Sequence, residues 1–82
     1  MAKKLKIWNQ RMLMVIDHRI EDGETQKDIC DRIGIQRTNL PPIRQGIRGF
    51  TVEQIYAACR AYSINPSWVL GMSSSMKLQA DK

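Results

Sequence analysis

Gly23–Gly46 reads GETQKDICDRIGIQRTNLPPIRQG and decides the fold of this 82-residue chain. The stretch begins with a short amphipathic segment, passes through a glycine at position 34, and ends in a second segment that carries two adjacent prolines. A helix, a tight turn that holds a glycine and a second helix form a helix–turn–helix unit. The stretch therefore predicts such a unit at the centre of the domain.

The first half of the stretch has clear helix boundaries. Thr25 and Asp28 have the spacing of a capping box, in which Thr25 caps the Asp28 N–H and Asp28 reaches back. Gly34 suits the left-handed position just past the end of a helix. The apolar face of this second helix of the chain is expected to be buried and consists of Ile29, Cys30 and Ile33.

Pro41 and Pro42 determine where the third helix can begin. Inside a helix each would remove a hydrogen bond and clash with the preceding turn, at a cost of about 3 kcal/mol or more. If Asn39 is the N-cap, residues 40–42 occupy the first three helical positions, where no N–H is needed. Leu40 is still disfavoured from the α region because it precedes a proline. We therefore predict a helix of about two turns that starts late, at Asn39 or Leu40, with a loop ahead of it.

Three further helices complete the prediction. Between Leu5 and Ile20 the apolar residues recur at helical spacing, which indicates the first helix. Thr51 and Gln54 form another capping box, and Phe50 is expected to staple this fourth helix by packing on Ile55. Its apolar face is predicted to contain Val52, Ile55, Cys59 and Tyr62.

The fifth helix is short. Asn65 suits its N-cap and Pro66 its first position, with Ile64 stapled to Val69 and an end at Gly71. The chain has no strand signal and no internal repeat, so the expected architecture is an all-α, compact bundle of five short helices. We divide it into a flexible basic arm at 1–4, a domain at 5–71 and a flexible tail at 72–82.

The charges are distributed unevenly along the chain. The net charge is +5, yet six of the eight acids lie between residues 17 and 31, and Glu53 is the only acid from Arg32 to Ala80. This pattern predicts a positive face built from the middle of the chain. The net charge suggests a polyanionic partner, although on charge alone a soluble basic protein without such a partner is equally plausible.

Several function classes lack any signal. Cys30 and Cys59 do not have the spacing of a metal or redox site, and His18 is the only histidine. We expect two reduced, buried cysteines, no metal and no cofactor. No nucleophile–base pair, carboxylate pair or phosphate loop is found, so we predict no enzyme and no small-molecule substrate. No run approaches the roughly 20 apolar residues of a membrane span, and the expected location is the reducing cytoplasm.

Taken in order, these features resemble the lambda-repressor-like family of helix–turn–helix proteins, also called the XRE or Cro/C1 type. The resemblance covers Trp8–Gly71 and rests on the Thr25-Gln26 start, the Gly34 turn, the Gly46 stop and the Asn65–Gly71 ending. Two departures from the family pattern are Cys30, in place of an alanine, and the Pro41–Pro42 pair. The resemblance implies a lambda-repressor-like DNA-binding domain with its helix–turn–helix at helices 2 and 3, acting as a transcriptional regulator of the phage or mobile-element repressor type.

The resemblance also implies a set of DNA contacts. The start of the recognition helix, whose side chains meet base edges in the major groove, corresponds to Gln36, Arg37, Thr38 and Asn39. Contacts to phosphates are expected from Gln26 and, near the end of the recognition helix, from Arg44 and Gln45. Lys27 and Arg48 suit phosphate contacts because they are basic.

Arg37 is the strongest candidate for base reading. A guanidinium can donate two hydrogen bonds to guanine O6 and N7, which contributes about 1–3 kcal/mol of discrimination. The alternative is a solvated arginine or a phosphate contact. For Asn39, capping of the third helix is favoured over adenine reading because of the prolines.

Double-stranded DNA is thus the expected partner, bound by a homodimer across two half-sites about one helical turn apart. The fifth helix and the tail are the predicted self-association surface, through Trp68, Val69 and Met72, although the spacing of Trp68 favours packing in the core. One alternative is a protein-interaction module, antirepressor-like or antitoxin-like, which the double proline favours and the arginine-rich middle disfavours. A second alternative is nucleic-acid binding that is sensitive to salt but indifferent to sequence.

Overall fold

The structure, a computed structural model, describes residues 5–77. Five α-helices lie in this range, and no strand is formed within it, so the predicted all-α class and five helices are confirmed for the described residues. The helices are α1 (Ile7–Glu21), α2 (Gln26–Ile33), α3 (Leu40–Arg44), α4 (Val52–Tyr62) and α5 (Pro66–Val69), with a 3-10 turn at Arg37–Asn39 between α2 and α3.

A single apolar core joins the five helices. Helix α1 packs against α2 and α5, and α4 packs against α2 and α5. The fully buried side chains come from all five helices and from the loops between them, and include Met12, Ile16, Ile29, Leu40, Ile43, Ala58, Ile64 and Val69. Burial of one such large aliphatic side chain stabilises the fold by about 1.5–3 kcal/mol, so the core holds these short helices together.

Helix α1 is connected to the loop before α4 by one buried amide. Asn9 lies in the first turn of α1 and is almost completely buried. Its Oδ1 accepts a hydrogen bond from the Phe50 N–H at 2.9 Å. A Cβ atom at the neighbouring Gly49 would lie 2.9 Å from Asn9 Nδ2, so the close approach of this loop requires a glycine. No local sequence signal indicates this role of Asn9, because Phe50 is 41 positions away.

The boundaries of α2 agree with the prediction in most respects. Thr25 Oγ1 accepts a hydrogen bond from the Asp28 N–H at 3.1 Å. The second bond of the capping box, which the Thr25 N–H would donate to the Asp28 carboxylate, is not formed in the described part of the chain, so only half of the predicted capping box is present. Gly34 ends the helix at φ +85°, in the left-handed region, and its N–H donates to the Cys30 carbonyl at 2.8 Å.

Helix α4 confirms its predicted start. Thr51 and Gln54 exchange both hydrogen bonds of a capping box, at 2.9 and 3.1 Å. The residues of its predicted apolar face differ in burial, because Cys59 and Tyr62 are buried whereas Val52 is 82% exposed. The face is therefore covered only towards the C-terminal end of α4.

Helix α5 begins as predicted. Asn65 Oδ1 accepts a hydrogen bond from the Ser67 N–H at 3.0 Å, and Pro66 occupies the first helical position. The α-helical part ends at Val69, and Gly71 follows at φ +83°.

The segment after α5 does not leave the domain directly. The Asn65 N–H donates to the Met76 carbonyl at 2.8 Å, Asn65 Nδ2 donates to the Ser75 carbonyl at 3.0 Å, and Met76 packs on the core. Residues 72–77, predicted as the first part of the tail, are therefore hydrogen-bonded to the start of α5. The remainder of that tail, 78–82, and the predicted arm at 1–4 lie outside the described residues.

Within residues 5–77, no helix combines the length and the apolar character that crossing a membrane requires.

Replacement of Asn9 by alanine tests the connection between α1 and the loop before α4. Asn9→Ala leaves the buried Phe50 N–H without an acceptor, so we expect the free energy of unfolding to fall by about 1–3 kcal/mol. Urea denaturation followed by circular dichroism measures the change. Gln10→Ala is the matched control, because its side chain bonds only the exposed Leu5 carbonyl. Equal stabilities of the two variants would contradict the role given to Asn9.

Candidate nucleic-acid interface

The segment between α2 and α3 is a tight turn followed by a short helix. Ile35 is buried, Gln36 is extended at φ −77° and ψ 138°, and residues 37–39 form the 3-10 turn. Helix α3 then begins at Leu40, with Pro41 and Pro42 in its first turn. The predicted late start is thereby confirmed. The prediction of a loop at 36–39 was only partly correct, because three of these four residues form a 3-10 turn.

Two details of α3 differ from the expectation. Its five residues are fewer than two turns, since α3 ends at Arg44. Asn39 precedes the helix but does not cap it through its side chain, because its own backbone is already helical at φ −85° and ψ −13°. Its Oδ1 instead accepts a hydrogen bond from Arg48 Nη1 at 3.3 Å.

The prolines are accommodated by their position and by their neighbours. Their missing N–H groups fall in the first turn, whereas their carbonyls still accept hydrogen bonds from Gln45 and Ile47 at 3.0 and 2.9 Å. Leu40 adopts the α region (φ −66°, ψ −47°) although a proline follows it. Its side chain is 1% exposed, and this burial offsets the unfavourable local conformation.

The four residues predicted to read bases differ in their surroundings. Gln36, Arg37 and Thr38 are exposed on the turn, and Asn39 is half-buried. The Arg37 side chain is exposed and forms no hydrogen bond or ion pair with the described residues, so its five N–H donors are available to an external acceptor. The hydrogen bond from Arg48 occupies the side-chain amide oxygen of Asn39, so Asn39 is the least available of the four residues for a contact with a base.

Three of the five predicted phosphate-binding residues form side-chain contacts with other residues of the chain. Gln26 and Gln45 are exposed at the start of α2 and the end of α3. The basic side chains have partners: Lys27 lies 3.4 Å from Asp31, Arg48 donates to Asn39, and Arg44 donates twice to Asp17, at 2.7 and 3.2 Å. The hydrogen bonds to the Asp17 carboxylate raise the pKa of Arg44.

A polar cluster that the sequence analysis missed positions the start of α2. Arg19 Nε donates to Glu24 Oε2 at 2.6 Å, and the Tyr62 hydroxyl donates to Glu24 Oε1 at 3.0 Å. The Arg19 guanidinium also lies 4.7 Å from the centre of the Tyr62 ring. Because Glu24 directly precedes the N-cap Thr25, the cluster connects the start of α2 to both α1 and α4. No local sequence signal links Glu24 to a tyrosine 38 positions away.

An apolar groove lies between α4 and α5, away from this cluster. Its volume is about 540 Å³, and its lining residues are Val52, Ile55, Tyr56, Cys59, Arg60, Ser63, Pro66 and Leu70. Tyr56 is 61% exposed and Leu70 48% exposed. Of the three residues that we predicted to lie on a self-association surface, Met72 is 78% exposed, whereas Trp68 and Val69 are buried in the core. They cannot contact a second molecule, because α5 directs them towards α1.

The described residues contain no group of three or more histidine, cysteine or acidic side chains arranged to hold a metal ion. Cys30 and Cys59 are free and buried, as predicted. Burial raises the pKa of both thiols, which disfavours the reactive thiolate form.

Comparison of the chain with protein-family models, with curated proteins and with solved structures finds no match in any of the three.

The polar cluster at Glu24 predicts a pH dependence of stability. Burial opposes ionisation of Glu24, but the hydrogen bonds from Arg19 and Tyr62 and the nearby guanidinium charges outweigh it and lower the Glu24 pKa. The stabilisation is therefore present above the ordinary glutamate pKa and is lost as the pH falls through the lower pKa of the folded state.

We expect Glu24→Gln to be less stable than the wild type at neutral pH and to approach it in acid. Urea denaturation across this pH range measures the difference. Glu21→Gln is the control, because Glu21 is an exposed acid for which the described chain provides no ion-pair partner. A difference from the wild type that does not change with pH would contradict the lowered Glu24 pKa.

Proposed function

We propose that this chain is a sequence-specific double-stranded DNA-binding protein of the lambda-repressor-like helix–turn–helix type. In this proposal α2, the 3-10 turn and α3 form the helix–turn–helix, and the protein is a transcriptional regulator, a repressor of the kind found in phages or mobile elements. One observation carries the proposal: Arg37 and Thr38 are displayed on a tight exposed turn, directly after the glycine stop of α2, at the start of a short helix.

The turn has the rigidity that base reading needs. Buried aliphatic side chains anchor it on both sides, Ile35 before it and Leu40 and Ile43 after it. A side chain on a fixed backbone loses less conformational entropy when it binds, so more of each hydrogen bond contributes to affinity. The backbone at Arg37 therefore needs no further ordering, and only the arginine side chain loses rotamer freedom when its guanidinium binds guanine O6 and N7.

The short length of α3 is compatible with this role. In helix–turn–helix proteins the N-terminal residues of the second helix contact base edges. In this chain the corresponding residues are those of the 3-10 turn and of the first turn of α3. A helix of five residues is then long enough, because the prolines and the buried Leu40 hold its N-terminal end in place.

The charges support binding by two copies. Lys27, Arg44 and Arg48, the three basic residues that we predicted to contact phosphates, all have side-chain partners within the described chain, so each contact to a phosphate competes with an existing one. Affinity for DNA rises with the number of phosphates that are neutralised. A homodimer on two half-sites about one helical turn apart doubles that number.

The groove between α4 and α5 is the surface that we propose for the homodimer. It replaces the predicted surface at Trp68 and Val69, which the core buries. Val52, Tyr56 and Leu70 are exposed apolar side chains around the groove, and a second copy would remove them from water.

The same groove favours the alternative function, a protein-interaction module of the antirepressor or antitoxin kind. In this alternative another protein binds in the groove, and Lys27, Arg44 and Arg48 keep their partners within the chain. The protein would then act without reading DNA. Capture of a stoichiometric protein partner, together with no duplex binding at low salt, would select this alternative. The unpaired Arg37 side chain on an anchored turn favours DNA binding over this alternative.

Substitution of Arg37 tests the reading role. A pooled-oligonucleotide selection first identifies the preferred duplex, and titrations at two salt concentrations then measure affinity. We expect Arg37→Ala to weaken binding to that duplex about 5- to 150-fold, because a bidentate guanine contact is lost. Arg37→Lys should also lose discrimination between duplexes, since lysine keeps the charge but not the fork.

The control for Arg37 is Lys77→Ala, which removes one exposed positive charge beside α5. We expect its effect to be small and independent of sequence. Binding that neither falls with salt nor responds to Arg37→Ala would refute the proposed function. Retained discrimination in Arg37→Lys would show that Arg37 contacts a phosphate instead.

Substitution of Leu70 tests the homodimer. We expect Leu70→Glu to shift the protein to the monomer and to weaken binding to a duplex with two half-sites, because a carboxylate cannot be buried in an apolar interface. Sedimentation equilibrium measures the oligomeric state. Met14→Glu is the control, because Met14 is also an exposed apolar residue but lies on α1, outside the groove. A wild type that stays monomeric at the concentrations where it binds DNA would contradict the homodimer.

A further inference from the structure

We infer that Asp17 on α1 is an intramolecular competitor of the DNA phosphate for the guanidinium of Arg44. In this role Asp17 limits the part of the DNA affinity that does not depend on sequence. The inference rests on the proposed function for its ligand, duplex DNA.

The contact between the two side chains has two points. Arg44 Nη2 donates to Asp17 Oδ1 at 2.7 Å, and Arg44 Nη1 donates to Asp17 Oδ2 at 3.2 Å. The residues are 27 positions apart, so the pair joins the last turn of α3 to the middle of α1. About half of the Asp17 side chain and 41% of the Arg44 side chain are exposed, and the pair is therefore open to an approaching anion.

Carboxylate and phosphate bind arginine in the same way. Both accept two parallel N–H···O bonds from the guanidinium fork. A phosphate that approaches Arg44 must either displace Asp17 from the fork or bind the remaining N–H groups beside a carboxylate of its own charge. Either route makes the contact weaker than a contact to an unpaired arginine.

The other basic residues near the turn are not held in this way. Lys27 makes a single contact of 3.4 Å with Asp31, and both side chains are about two-thirds exposed. Arg48 donates to the neutral Asn39, and Arg37 has no partner within the described chain. The fold thus pairs Arg44, which we expect to contact a phosphate, with a carboxylate. The side chain of Arg37, the proposed base reader, stays unpaired.

The competition also predicts a salt dependence. Each phosphate that a cation neutralises releases about one condensed counterion from the DNA. When a phosphate displaces Asp17, the freed carboxylate attracts a cation from solution, which cancels part of that release. Without the carboxylate, the dependence of affinity on salt becomes steeper.

The experiment compares Asp17→Asn with Glu21→Gln. Both remove one negative charge from α1, but Glu21 has no ion-pair partner in the described part of the chain. Affinity for a random-sequence duplex is measured at two salt concentrations, and retention is measured on a heparin column, whose sulfates also bind the guanidinium fork. Thermal melts confirm folding, and Asp17→Ala is the second variant if the asparagine variant is unstable.

We expect Asp17→Asn to bind the duplex about 2- to 5-fold more tightly than Glu21→Gln, the range that an exposed ion pair supplies. The salt dependence should be steeper by a fraction of one ion, because the carboxylate cancels only part of the release of about one counterion. Heparin should retain Asp17→Asn to a higher salt concentration than the control. In an Arg44→Gln background, the advantage of Asp17→Asn over Glu21→Gln should disappear, because the competitor has no guanidinium to occupy.

The outcomes separate this inference from the proposed function. If the wild type fails to bind any duplex while Asp17→Asn is retained more strongly on heparin than the control, the proposed function is wrong and the competition stands. If Asp17→Asn matches Glu21→Gln on both ligands, the competition is refuted. Weaker binding by Asp17→Asn also refutes it, because Asp17 would then orient Arg44 towards the anion.

Discussion

The missing N–H groups of Pro41 and Pro42 are the constraint on which the rest of the reading segment depends. Two adjacent prolines fit a helix only in its first turn, where no N–H has a partner within the helix. Helix α3 therefore begins at Leu40, and the residues ahead of it close into a 3-10 turn. The buried side chains of Leu40 and Ile43 hold this arrangement against the core. The exposed position of Arg37 follows from where the prolines allow the helix to start.

The charges are arranged differently in space than along the chain. The sequence places six of its eight acids between residues 17 and 31 and only Glu53 from Arg32 to Ala80, which predicted a positive face. The fold brings the acidic stretch and the middle of the chain together, because Asp17 pairs with Arg44. The net charge and the order of the charged residues along the sequence therefore overestimate the positive charge that a polyanion would meet around α3.

The predictions for α4 and α5 show where periodicity is insufficient. Helical spacing grouped Val52 with Cys59 and Tyr62, and the first turn of α4 is nevertheless exposed. The spacing of Trp68 favoured the core, whereas Val69 was placed on a self-association surface, and both side chains are buried. Spacing identifies which residues share a face, but only the packing of neighbouring helices decides which part of that face is covered.

The sequence by itself determined the local features of this protein: the Thr25 and Thr51 caps, the left-handed Gly34, the Asn65–Pro66 start of α5 and the late start of α3. Each depends on hydrogen bonds or steric limits within about four residues, so the identities of those residues are sufficient. The tertiary structure alone decided the contacts of Asn9 with Phe50, of Glu24 with Tyr62 and of Asp17 with Arg44. Their partners are 41, 38 and 27 positions apart, and only the packing of the helices brings them within hydrogen-bonding distance.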